Sequence, residues 1–253
     1  MQHTSISISS RVSALTRAPH VLAAVLAAVL MSACGGGGGS SGGGAVTSAS
    51  TFNVRSGYQA HISAGGTDNY NVSGTCSGTA QIVNGAVAPT TFEGAAALGA
   101  TQTATVNFAP NSCQPSVSTA SGTNYYDSNY ALIGSVVNGV EYATVMSGTT
   151  PVPLPSGAKV GDSGALTSLT TYQDASKTPP PTGSRTVTYA VGADTATTAI
   201  LDIIVNTYNA SNVLQVTQTS RYRVAADGSL TVLSIDVLYS NAAGGAHLVY
   251  TKV

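Results

Sequence analysis

Between residues 197 and 239, apolar and polar side chains alternate through three segments, 197–208, 213–225 and 229–239, separated by turn-forming residues. A period of two marks strands with one buried face. Asp227-Gly228 favours a two-residue type I′ hairpin turn, and residues 209–212 favour a four-residue turn. The first turn pairs Ala226 with Ser229, Tyr222 with Leu233, Ser220 with Ile235 and Val216 with Tyr239. The second pairs Tyr208 with Val213, Val205 with Val216 and Ile203 with Gln218. Both registers put Leu201, Ile203, Val205, Leu214, Val216, Tyr222, Leu233, Ile235, Val237 and Tyr239 on one dry face. The opposite face carries Asp202, Asn206, Thr217, Thr219, Arg221, Arg223, Ser234 and Asp236. A one-residue slip in either hairpin would destroy that agreement. The predicted unit is a three-stranded antiparallel sheet.

The same reading extends along the chain. Asn138-Gly139 joins strand signals at 131–137 and 140–146, and further strands are expected at 165–172, 185–191 and 246–252. Pro153, Pro155 and the Pro179–Pro181 run mark loops, because proline removes ladder donors. No segment holds a 3.6-residue apolar period, and only 8% of the residues are charged, too few for long solvated helices. The expected fold is all-β and mainly antiparallel: a C-terminal meander of about eight strands over 126–253, closing into a barrel-like sheet or a sandwich. Residues 51–125 form a Ser/Thr/Gly-rich β region, with shorter strands at 51–63, 70–82 and 101–109. The sequence leaves open whether this region is a separate module or extends the sheet. Nine Lys+Arg against ten Asp+Glu give no basic face for phosphate, so nucleic acid is excluded as a partner.

The first 33 residues read as a targeting segment. Arg11 and Arg17 precede an apolar run at 21–31, too short to span a bilayer. The run ends in Met31-Ser32-Ala33-Cys34, followed by glycine. That arrangement resembles the lipobox of bacterial lipoproteins. The resemblance implies cleavage before Cys34, lipidation of Cys34 and anchoring in the cell envelope; Gly35, where Asp would favour inner-membrane retention, implies the outer membrane. Residues 34–50 form a Gly/Ser-rich tether with nothing to bury. With Cys34 committed to lipid, Cys76 and Cys113 remain as an even pair in an oxidising compartment, and a disulfide is expected.

Chemistry-bearing residues are few. Gly161-Asp162-Ser163-Gly164 resembles the nucleophile segment of chymotrypsin-like serine proteases. The resemblance implies Ser163 as nucleophile, His61 as base and Asp68 or Asp127 as the orienting acid. Ala165 departs from the family pattern, and the string also has ordinary turn composition. Residues 65–69 lack the ligand alternation of a calcium loop, and His61 and His247 are not part of any metal-spaced set. Asp202 and Asp236 are expected opposite Thr219 with Arg221 diagonal to each, a small surface charge network. The sequence therefore predicts no enzyme, cofactor or metal, but an outer-membrane-anchored lipoprotein with a non-catalytic binding or structural role. Two alternatives are an apolar-ligand carrier with a lipocalin-like cavity lined by Leu201, Ile203, Val216, Leu233 and Ile235, and a serine hydrolase using Ser163.

Overall fold

The computed structural model describes residues 48–253. The signal segment, Cys34 and the tether up to residue 47 lie outside the described residues. An 11-residue helix, α1 (Val54–Ala64), precedes thirteen strands. They are β1 (Gly66–Gly74), β2 (Gly78–Asn84), β3 (Ala88–Phe92), β4 (Ala95–Phe108), β5 (Val117–Tyr126), β6 (Leu132–Val137) and β7 (Glu141–Val145). There follow β8 (Ser163–Tyr172), β9 (Gly183–Ala193), β10 (Thr198–Asn209), β11 (Leu214–Ala225), β12 (Leu230–Tyr239) and β13 (His247–Lys252).

From β4 to β13 every strand pairs antiparallel with the next, and β13 then pairs with β1, β1 with β2 and β2 with β4. The result is a closed antiparallel barrel of 12 strands. The sheet does not break near residue 125, since β5 is bonded to both β4 and β6. β3 continues the line of β2 along β4, pairing from Phe92 with Ala95 to Ala88 with Gly99 on that one side. It carries Pro89 in its second position, which removes a donor from an open edge.

Alternation assigns the two surfaces of the wall. Leu201, Ile203, Val205, Val216, Tyr222, Ile235, Val237 and Tyr239 are all buried at 0–2% exposure and face the lumen. An eight-strand barrel is just filled by its own side chains, so twelve strands leave extra room. The chain fills it with bulky Tyr70, Tyr222 and Tyr250, and with Phe52 from the segment before α1 and Leu154 and Ala158 from the β7–β8 connection. Phe52 and Ala158 exchange two backbone hydrogen bonds of 2.8 and 3.0 Å. At the other end, Cys76 and Cys113 join the β1–β2 and β4–β5 turns with Cα atoms 5.7 Å apart, the separation of a disulfide.

Three sequence expectations are corrected. First, Asp227-Gly228 is part of a three-residue loop: Ala225 N–H donates to Ser229 O (3.0 Å), and only Gly228 has positive φ (91°). Tyr222 therefore pairs with Val232; a bulge then restores Ser220 with Ile235 and Val216 with Tyr239. Leu233 is the extra, half-buried residue, and Ser234, expected outside, is fully buried. Second, the β10–β11 register lies two residues from the expected one, with Val205 opposite Gln218 and Ile203 opposite Ser220. A slip of two preserves the face, so the core residues survive, but Leu214 is 37% exposed and Asp202 sits directly opposite Arg221. Third, residues 51–63 are not a strand but lead into α1, and 70–82 is two strands joined by a turn.

The Asn138-Gly139 hairpin also has a three-residue loop, with Val137 opposite Glu141. No bulge compensates here, so Glu141 turns into the lumen and Tyr142 outward. Glu141 meets Arg185, which is 1% exposed, with Nη2 to Oε1 at 2.5 Å, while Arg185 Nη1 donates to Ser135 Oγ at 3.3 Å. Burial pushes the Glu141 carboxyl above the usual range, and the Arg185 charge opposes that.

Candidate functional site

The barrel end nearest the amino terminus is covered by α1. Val54, Tyr58, His61 and Ile62 recur at helical spacing and give the segment one packing face. Gly57 allows close approach to the β11–β12 turn: a Cβ there would lie 1.9 Å from Gly228 O. Tyr58 and His61 both stand edge-on to Tyr222, at ring separations of 6.0 and 5.4 Å. Polar bonds complete the seat. Gln59 Nε2 donates to Asn129 O (3.2 Å), Arg55 Nε to Leu154 O (2.5 Å), and Ser63 and Tyr130 hydroxyls meet at 2.9 Å. Tyr58 is hydrogen-bonded to Tyr126; burial pushes its phenol up to about 12, against the pull of that bond.

Beside α1 lies an open groove of about 480 Å³ lined by Ser56, Gly57, Ala60, His61 and residues 227–230. Burial lowers the His61 pKa; Asp68 opposes and Lys252 reinforces that effect. Asp68 is itself ion-paired to Lys252, whose Nζ also lies 5.8 Å from the centre of the Tyr70 ring.

The structure brings His61 and Asp68 into one electrostatic neighbourhood but does not bring Ser163 there. Ser163 opens β8, opposite Ala190 on the outer surface, whereas His61 packs on Tyr222 of β11, three strands away and on the lumen side. Its segment behaves as a turn: Gly161 has φ 98°, and Asp162 Oδ2 accepts the Lys159 N–H at 2.8 Å. Asp127 accepts two backbone N–H bonds, from Asn129 and Ala131 at 2.8 and 2.9 Å, within the β5–β6 turn. His247 Nε2 lies 2.9 Å from Asp236 on the outer wall. Among the described residues no three His, Cys, Asp or Glu side chains gather as metal ligands.

Two features escaped the sequence. The Arg185–Glu141 pair depends on a loop length that the dipeptide Asn138-Gly139 does not specify. The second is a hairpin whose Glu93-Gly94 turn has φ 52° and 77°, the true type I′ geometry. Its Phe92 stacks on Tyr125 at 4.3 Å on the outer wall, over Gly134, and Glu93 bonds both Tyr142 and Lys177.

The outer wall itself is sorted by charge. Asp202 holds Arg221 through two bonds of 2.7 and 3.1 Å, Asp194 holds Arg223 at 2.6 and 3.2 Å, and Asp236 meets His247. The Asp, Glu, Lys, Arg and His side chains that point outward from within the described strands belong to β10–β13. Outward positions of β1, β2, β4 and β5 are Thr, Ser, Asn, Gln and a few apolar residues.

No family model matches this chain, and neither the curated proteins nor the solved structures contain a match to it.

Proposed function

We propose that this protein is an envelope lipoprotein, anchored through Cys34, whose barrel acts by binding at its outer surface rather than by catalysis. One observation supports the surface-acting part: a closed barrel whose lumen is occupied by its own side chains. Leu201, Ile203, Val216 and Ile235 are each 0–2% exposed, so none borders a void that admits water. The polarity of the wall supports a solvated module. Apart from the Arg185–Glu141 pair and a few buried amides and hydroxyls, inward positions are mostly apolar, while most Thr, Asn and charged side chains point out, the reverse of a membrane-spanning barrel. The anchor is supported by the lipobox residues alone.

The test is metabolic labelling with a tagged fatty acid and fractionation of the full chain against Cys34→Ala. Labelled wild type in the membrane pellet and an unlabelled, released variant are expected. A Cys34→Ala chain that is still labelled and still pellets would overturn the anchor. For the non-catalytic part, a fluorophosphonate probe should leave the protein unmodified; stoichiometric labelling lost in Ser163→Ala would reinstate the hydrolase.

A further inference from the structure

We propose that the open groove beside α1 binds a short organic cation, with Asp227 as its counter-ion, His61 as a further hydrogen-bond acceptor, and Ala60 and Leu230 as its apolar contact. At about 480 Å³ the groove has the size of a small-molecule site, and it opens to solvent at the barrel end.

Its carboxylate is held in place and lacks a cation. Asp68, Asp194, Asp202 and Asp236 are paired with Lys252, Arg223, Arg221 and His247, whereas Asp227 takes part in no ion pair among the described residues. The amide and hydroxyl of Ser229 both donate to Asp227 Oδ1, at 2.8 Å each, so Oδ2 receives neither. Those bonds, the amide first, hold the carboxyl below its ordinary range and therefore ionised. On the facing helix, His61 touches Tyr222 edge-on and makes no hydrogen bond among the described residues. Burial favours its neutral ring, which carries one bare acceptor nitrogen.

Charge complementarity selects the occupant. The lining holds the Asp227 carboxylate and no Lys or Arg, so a carboxylate or phosphate ligand would meet unopposed repulsion. An uncharged ligand would cover part of that charge without compensating it. A metal ion would find two ligands, His61 and Asp227, where a structural site supplies four. An ammonium group offers three donors to these acceptors, and a short carbon chain on it covers Ala60 and Leu230. Little ordering is lost on binding, because Gly57 seats α1 directly on Gly228 and Ser229 already fixes the carboxylate.

This inference deepens the surface-binding reading and is independent of the lipid anchor, so loss of fatty-acid labelling and loss of amine binding are separate failures. The full chain with ring-labelled histidine, in mild detergent at pH 7.5, is titrated with n-butylamine and 1,4-diaminobutane and followed by NMR. Butyrate and 1-butanol serve as anionic and neutral isosteres, and His61→Phe assigns the His61 signal. Asp227→Asn removes the charge while leaving an oxygen for the Ser229 bonds. Asp174→Asn is the control: Asp174 accepts the Ser176 N–H in a similar turn, in the β8–β9 loop. A saturable shift of the His61 signal with at least one amine is expected, with Kd on the order of 1 mM. Asp227→Asn should weaken it about tenfold and Asp174→Asn should leave it unchanged. No saturable His61 response to either amine overturns the proposal. So does an equal response to butyrate or 1-butanol, an affinity unaltered in Asp227→Asn, or an equal weakening by Asp174→Asn.

Discussion

Replacing Gly57 with alanine tests how α1 is seated. A glycine inside a helix ordinarily costs about 0.5–1 kcal/mol relative to alanine, so the exchange should stabilise an unconstrained helix by that amount. The packing reverses the sign. The added methyl would lie 1.9 Å from Gly228 O and 3.1 Å from Leu230 Cγ. The oxygen belongs to the backbone of a turn tied by Ala225 and Ser229, so it cannot swing aside as a side-chain tip would. Ordinary C···O approach begins near about 3.3 Å, so α1 must move by more than about 1 Å. That movement loosens the edge-on contacts of Tyr58 and His61 with Tyr222, worth about 0.5–1.5 kcal/mol each where intact. Overpacking of this kind costs about 1–3 kcal/mol, and the propensity gain recovers less than about 1 of it. The expected net loss is about 1–2 kcal/mol. Urea denaturation followed by far-ultraviolet circular dichroism, with hydrogen exchange over residues 54–64, measures it. Ala60→Gly, at an exposed position of the same helix, should also destabilise, by about 0.5–1 kcal/mol through propensity alone. Two opposite exchanges that both destabilise are the signature of the close contact. A Gly57→Ala protein with a higher midpoint and unchanged exchange would refute it.

Arg185→Met strands the buried Glu141 carboxylate and should cost about 3–5 kcal/mol, whereas adding Glu141→Leu to it should recover most of the loss; a double-mutant cycle in urea reads both. Gly134→Ala would drive a methyl to 2.3 Å from the Phe92 ring, so it should release the β3–β4 hairpin and raise proteolytic cleavage near residue 93. Lys177 first, then Tyr142, hold the Glu93 carboxyl below its ordinary 4.5. A depressed carboxylate contributes stability above the unfolded value and loses it as pH falls through the folded one. With Lys177 and Glu93 each about one-third exposed the effect stays under about 1 kcal/mol, and Glu93→Gln should remove that acid-side slope from a pH series of urea midpoints. Ile235→Asp should cost several kcal/mol while its neighbour Asp236→Ser costs under about 1, and equal losses in chemical denaturation would contradict the face assignment.

What the sequence made legible was the face of each strand rather than its exact partner. Face depends only on parity, so the β10–β11 register could move by two residues and leave Leu201, Ile203 and Val205 inside. Where a loop gained one residue, parity failed unless a bulge restored it. At Asp227-Gly228 the bulge at Leu233 did so, whereas at Asn138-Gly139 nothing did and Glu141 went inward. Loop length is a joint property of the turn and of the packing beyond it, so a Gly dipeptide alone underdetermines it. The helix was missed for a different reason. Val54, Tyr58 and Ile62 do repeat at helical spacing, but over 11 residues containing a glycine and two β-branched side chains, where propensity is weak and tertiary contact decides. The Ser163–His61 alternative could not be weighed from chain order, which carries no information about which side of a barrel wall a residue faces.

The width of the barrel bears on where a ligand can bind. Twelve strands enclose more space than their own lumen side chains fill, and the chain closes the difference with Phe52, Val54, Leu154 and Ala158. A ligand taken into that half of the lumen would have to expel at least Phe52 and Val54, both 0% exposed. Returning two such side chains to water costs about 3–6 kcal/mol. If the open state is that much higher, every lumen ligand binds more weakly than its contacts alone would allow, by a factor of about 10² or more. The outer wall carries no such penalty, because its Thr, Asn and Gln side chains already face solvent and a ligand bound there would displace only water. The same packing that makes the barrel stable without a ligand therefore favours its exterior over its lumen for the proposed binding role.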